Sequence, residues 1–138
     1  NGADIDKYLR PNVIPTLVTN VDNVSLNSIH LDHEIKDMVF SLNVDGAPGP
    51  DGFYNGFYQK HEYVIQEDVC HMVKHFFYKG TLWHGLNSQF LVLIPKTNNA
   101  DEIHLFRPIA LINSLFKIIT KLIANRISPI SNKIVSWN

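Results

Sequence analysis

Apolar residues recur at helical spacing in three stretches of this chain and run without interruption in a fourth. Ile35, Met38, Val39 and Leu42 follow Asp32, whose carboxylate is suited to accept first-turn N–H groups, so a helix is expected over 32–42. Ile65, Val69, Met72, Val73 and Phe76 form a longer stripe that predicts a helix over 62–78. Gly80 stands where such a helix would end in the left-handed conformation. A short helix is expected to hold Phe53, Phe57 and Tyr58. The strongest amphipathic segment begins at Asn113 or Ser114, either of which could cap it. It carries Phe116, Ile119, Ile123 and Ile127, broadened by Leu115, Ile118 and Leu122, and Pro129 is expected to close it.

The uninterrupted run is Phe90-Leu91-Val92-Leu93-Ile94, which ends at Pro95. Its shortness and its flanking turn residues predict a buried strand. Asn98 to Asp101 read as a polar turn, and Phe106 to Leu111 as the returning strand, with Pro108 restricting it to an edge or a bulge. Ala47-Pro48-Gly49-Pro50-Asp51-Gly52 must be a loop, because two prolines fix φ and two glycines permit positive φ. Residues 1–30, with Pro11, Pro15 and several Asn, predict an irregular lead-in to a domain over 31–138. The fold class is α+β, mostly helical with one β-hairpin.

The chain has 138 residues, 45% hydrophobic and 18% charged, which suits one modest domain with a core and excludes a disordered composition. No run of about 18 apolar residues occurs, so no membrane span is expected. Residues 1–10 lack the apolar stretch of a signal peptide, and a start at Asn reads as a processed or partial chain. Cys70 is the only cysteine, so no internal disulfide can form and an intracellular site is expected. The net charge of -1 divides unevenly. Up to Cys70, eleven acidic residues outweigh four basic ones; from His71 onward, eight basic residues outweigh two acidic ones. The basic half could face phosphates, or could simply be a solvated face.

Three blocks carry a resemblance. The first is Ala47 to Phe53 followed by Phe57-Tyr58-Gln59-Lys60. The second is Leu93-Ile94-Pro95-Lys96, a polar spacer, and Phe106-Arg107-Pro108-Ile109-Ala110-Leu111. The third is Asn113 to Ile127, with Phe116-Lys117-Ile118-Ile119 and Lys121-Leu122-Ile123-Ala124-Asn125-Arg126-Ile127. In order and spacing these blocks resemble the reverse transcriptases of non-LTR (LINE-type) retrotransposons, particularly those abundant in plants, over roughly residues 30–136. Departures are Asp45-Gly46 where the family usually has a basic residue, Ala110 where it often has Ser, and Tyr54-Asn55-Gly56 in place of a smoother helix start.

The resemblance implies the fingers and the start of the palm of a right-hand polymerase that copies RNA into DNA. Partners of the complete enzyme would be an RNA template, a DNA primer and deoxynucleoside triphosphate. Its cofactor would be a pair of magnesium ions clamping the attacking and leaving oxygens. The palm aspartates that hold those ions would follow Asn138, and no Tyr-x-Asp-Asp occurs in the chain, so no catalytic or metal-holding residue is assigned and the chain alone is expected to be inactive. A non-catalytic nucleic-acid-binding remnant and an inert relic are the alternatives. Without a palm, unpacked apolar surface could lead to self-association.

Lys96 and Arg107 are the candidate nucleotide-binding residues. A triphosphate needs cations, Arg offers a planar fork and Lys a compact charge, and the hairpin could bring both to one surface. Two solvated charges are the plain alternative. Gly49, Asp51 and Gly52 are candidate template contacts, although an Asp between Pro and Gly more often bonds its own backbone. Lys117 and Lys121, with Arg126, could grip a nucleic-acid backbone, or form an ordinary charged face. Asp101 and Glu102 read as turn residues. His71 and His75, four apart beside Cys70, lack a third fixed ligand and read as a polar helix face. Phe76, Phe77, Tyr78, Trp83 and Phe90 favour core packing over base stacking.

Overall fold

The amphipathic stripes do become helices, and the computed structural model describes residues 17–29 and 31–135. The described residues divide into two compact units, one within 29–125 and the other joining 17–28 with 126–135.

A short helix, α1 (Asn20–Asn27), comes first in the chain, and the first unit opens with α2 (Asp32–Phe40). Then come α3 (Asn55–Lys60), α4 (Glu62–Lys79), β1 (Gln89–Pro95), β2 (Phe106–Ile112) and α5 (Ser114–Ile134). The strands pair antiparallel, with Val92 opposite Ile109 and Ile94 opposite Arg107. The α+β class is therefore as the periodicity implied, and among the described residues no helix is long and apolar enough to cross a membrane.

One core organises this unit. Ile35 and Val39 of α2 meet Val69, Cys70 and Val73 of α4, Leu86 of the following turn, and Leu115, Ile118, Ile119 and Leu122 of α5. Val73, Ile118 and Ile119 are fully buried, each worth roughly 1.5–3 kcal/mol of transfer free energy. The helix ends are closed by side chains from elsewhere. Gln59 Nε2 donates to the carbonyls of Val39 and Leu42 at 2.9 Å, taking up acceptors left by the end of α2. α4 ends at Gly80, which is left-handed at φ 70°, with its N–H on Phe76 O at 2.8 Å.

Several expectations are corrected. Asp32 does not cap α2: the carboxylate of Glu34 accepts the N–H of Leu31 at 2.8 Å, and Asp32 instead pairs with Lys74 at 2.6 Å. Pro129 does not close α5, which runs on to Ile134. The proline forgoes one bond to the carbonyl four residues back, that of exposed Asn125, where water can replace it. The run at 90–94 is a strand, but every residue of β1 is exposed. No described segment covers either face of the hairpin enough to bury that strand.

In the second unit, the expected irregular lead-in contains α1. Its start is a reciprocal cap: Thr19 Oγ1 accepts the Asp22 N–H at 3.2 Å, and Asp22 accepts the Thr19 N–H at 2.8 Å. Arg126 donates to the carbonyls of Ser25, Leu26 and Ser28 at the other end of α1, placing a cation where the helix dipole is negative. Lys133 meets Asp22 at 2.7 Å, and this bond with those from Thr19 holds the Asp22 carboxyl down at about 2. The part of the lead-in before residue 17 lies outside the described residues.

Gly49 supplies a direct test of the packing. A β-carbon there would stand 2.4 Å from both the backbone nitrogen and Oδ1 of Asn113, and 2.5 Å from the carbonyl carbon of Ile112. Gly49→Ala should therefore lower stability by roughly 1–3 kcal/mol, read as a fall in the urea midpoint at unchanged slope. An unchanged midpoint would mean that the loop does not lie against the start of α5.

Candidate nucleotide and template interface

The loop at 47–53 is built from its own sequence and then fastened to α5. Pro50 fixes the second position of a tight turn, Gly52 N–H closes it on Gly49 O at 3.0 Å, and Gly52 takes the φ of 75° that follows. The Asp51 carboxylate accepts the Phe53 N–H at 3.0 Å, so its acid stabilises the turn, as an Asp between Pro and Gly commonly does. From α5, Asn113 Oδ1 accepts the Asp51 N–H at 3.2 Å and Ser114 Oγ donates to Phe53 O at 2.9 Å. These two side chains, expected to cap α5, bond outward to the loop instead. Asn113 Nδ2 also donates to Gly85 O and Leu86 O, each at 3.2 Å.

The candidate template cations sit on the same seam. Lys117 Nζ donates to Ala47 O and Lys121 Nζ to Ser41 O, both at 2.8 Å. Each ammonium thus spends one N–H on a loop carbonyl and keeps two for solvent or a phosphate. Gly49 is buried, whereas Asp51 and Gly52 are exposed. The structure brings Gly49, Asp51, Gly52, Lys117 and Lys121 into one neighbourhood, and the contacts among them are structural.

Lys96 and Arg107 lie elsewhere. Arg107 is six residues along β2 from Asn113, about 20 Å at strand rise. Lys96 N–H bonds Leu105 O at 2.7 Å, so residue 96 continues the ladder beyond Pro95 opposite Phe106. Lys96 directly follows β1 and Arg107 is the second residue of β2, so both stand at the turn end of the hairpin. Lys96 Nζ donates to His104 O at 2.8 Å, which orients the ammonium along the short 3-10 turn Ile103–Leu105. The Arg107 side chain is exposed and makes no hydrogen bond or ion pair among the described residues. Glu102 binds His104 at 3.0 Å rather than meeting Asp101 around an ion.

An aromatic groove of about 560 Å³ beside the loop was not foreseen from the sequence. Phe53, Phe57 and Tyr58 contribute rings at centroid distances of 4.7 to 6.5 Å, and Trp83 faces them from the far wall. The spacing Phe53-x-x-x-Phe57-Tyr58 is its signal; the short helix expected to hold all three rings begins only at Asn55, so Phe53 lies in the loop before it. Asp51 and Asp68 also line the groove, so it repels phosphate. Burial, helped by the Asp51 charge, pushes the Tyr58 phenol up to about 12. Of the second aromatic stretch, Phe76 and Phe77 pack against the core, while Tyr78, Trp83 and Phe90 are exposed.

On α4, His71 is exposed and His75 stacks against Trp83 at 5.4 Å. Among the described residues no group of three or more His, Cys, Asp or Glu could hold a metal ion. Cys70 is buried, and its thiol is pushed up to about 11 by desolvation and by its bond to the Asp32 carboxylate. No family model matches the chain.

The thiol yields a simple check. Cys70 should resist iodoacetamide at neutral pH in the folded chain and react fully in denaturant, since the thiolate is the nucleophile. Rapid alkylation without denaturant would place Cys70 outside the core.

Proposed function

We propose that this chain is the fingers and the start of the palm of an RNA-directed DNA polymerase of a non-LTR retrotransposon. Its work in that enzyme is to position nucleotide and template. The reading rests on the order of the three sequence blocks and on one geometric observation: Lys96, just past β1, and Arg107, near the start of β2, are both exposed at the turn end of the hairpin. Two cations so placed can meet different oxygens of one triphosphate, the lysine as a point charge and the arginine as a fork.

The loop fastened to α5 supports the same reading in a different way. Its turn is rigid, exposed at Asp51 and Gly52, and flanked by lysines with N–H groups to spare. A rigid exposed backbone can approach a template strand without the cost of ordering it. Magnesium-dependent transfer is not assigned to this chain. The described acids form no ion-holding group, and the sequence has no Tyr-x-Asp-Asp, so the residues present do not fit the ion pair.

Titration with a fluorescent deoxynucleoside triphosphate tests the reading. Lys96→Ala and Arg107→Ala should each weaken binding about tenfold, the weight of one charge-assisted hydrogen bond. Lys60→Ala, an exposed cation outside the hairpin, should leave binding unchanged. Equal affinities for all four proteins would remove the hairpin from the nucleotide site. Purified chain should also fail to extend a primed RNA template in magnesium, and measurable extension would contradict the assignment.

A further inference from the structure

The outer edge of β1 has an unusual property for an exposed strand. The bond from Lys96 N–H to Leu105 O makes residues 96 and 105 a hydrogen-bonded pair. Bonded and open pairs alternate along an antiparallel ladder. The register therefore makes 94–107, 92–109 and 90–111 bonded, and 93–108, 91–110 and 89–112 open. Pro95 and Pro108 both fall at open pairs, where no N–H is required between the strands.

The open-pair residues point their backbone groups away from the hairpin. On β2 that edge is blunted by Pro108, which has no donor, and by the neighbouring charge of Arg107. On β1 the outward N–H groups belong to Gln89, Leu91 and Leu93, and no charge or mid-strand proline guards them. Among the described residues no backbone carbonyl outside the hairpin accepts from them. Leu91 is 66% exposed and Leu93 45%.

We propose that this edge pairs with the same edge of a second copy of the chain, antiparallel about a two-fold axis through Val92. Leu91 of each copy then lies opposite Leu93 of the other, and the two exchange both backbone bonds. Gln89 of each copy donates to the Pro95 carbonyl of the other, and this outer pair makes one bond instead of two because Pro95 has no N–H to return. No charged residue of β1 meets another across the axis, because β1 has none. The product is a four-stranded sheet ordered β2–β1–β1–β2, past the two-strand size that is marginal in water. The symmetry is isologous and closes at two copies, with the outer edges again being the blunted β2 strands.

Cysteine cross-linking tests the axis. Val92 and Ile109 are equally exposed, at 39% and 40%. In the paired sheet the two Val92 positions are an open pair about 4.5 Å apart, within disulfide reach. The two Ile109 positions are three strand spacings apart, about 14 Å, and out of reach. Mild oxidation should cross-link Val92→Cys at least about tenfold faster than Ile109→Cys, and the native chain, with only buried Cys70, should stay uncrosslinked. Sedimentation of the native chain should show its mass doubling and then levelling as concentration rises. Leu91→Lys with Leu93→Glu should keep that dimer, because unlike charges face each other across the axis, whereas Leu91→Lys with Leu93→Lys should lose it. Equal cross-linking at 92 and 109, like behaviour of the two double variants, growth beyond two copies, or a persistent monomer would each overturn the proposal.

Discussion

Asn113 stands between the last strand and the last helix, and its buried amide joins segments that are far apart in sequence. Oδ1 takes the N–H of Asp51, and Nδ2 reaches the carbonyls of Gly85 and Leu86. With only 4% of the residue exposed, these bonds have little competition from water. Removing the amide would leave backbone polar groups without partners, at about 1–3 kcal/mol each where they are buried. Gly49 matters for the same reason, since the loop can reach Asn113 only if no β-carbon intervenes. The loop, the turn before the hairpin and the start of α5 thus share one fastening point.

That fastening sorts the cations of the basic half into different kinds of work. Lys117, Lys121 and Arg126 hold backbone carbonyls, and Lys133 holds a carboxylate. Lys96 also holds a carbonyl, but within the hairpin turn, beside the end of β2 that carries Arg107. An excess of positive charge in the sequence is therefore not the same as a positive surface. Much of it braces loops, while Lys96 and Arg107 of the hairpin are both exposed. The proposed nucleotide role belongs to that pair at the turn end of the hairpin, and the proposed self-pairing to the outer edge of β1.

The longer helices were legible in the sequence because each carries an apolar period of roughly 3.6 residues, and the hairpin because its apolar runs are short and bounded by turn residues. The stripe from Ile65 to Phe76 and the stop at Gly80 gave α4 nearly to its ends, and the hairpin strands were placed to within a residue or two. What the sequence could not convey was the identity of a side chain's partner. Asn113 and Ser114 have the chemistry of helix caps, yet long-range partners claim them. Asp32 likewise gives up capping for Lys74. The five apolar residues from Phe90 to Ile94 imply a cover, but periodicity says nothing of which segment provides it. Tyr54-Asn55-Gly56 reads as a departure from a smooth helix start, and in the structure a β-carbon at Gly56 would strike the Tyr54 ring at 2.6 Å. The turn pattern within 47–53 was readable, and its neighbours were not.

Native-state hydrogen exchange at Asp51 measures the fastening most directly, because that N–H has no helix or strand to protect it. If Asn113 holds the loop, the Asp51 amide exchanges slowly, in step with the core amides of Ile118 and Ile119, and Asn113→Ala releases it without releasing them. An Asp51 amide exchanging as fast as those at the tip of the hairpin, in the native chain, would contradict the account.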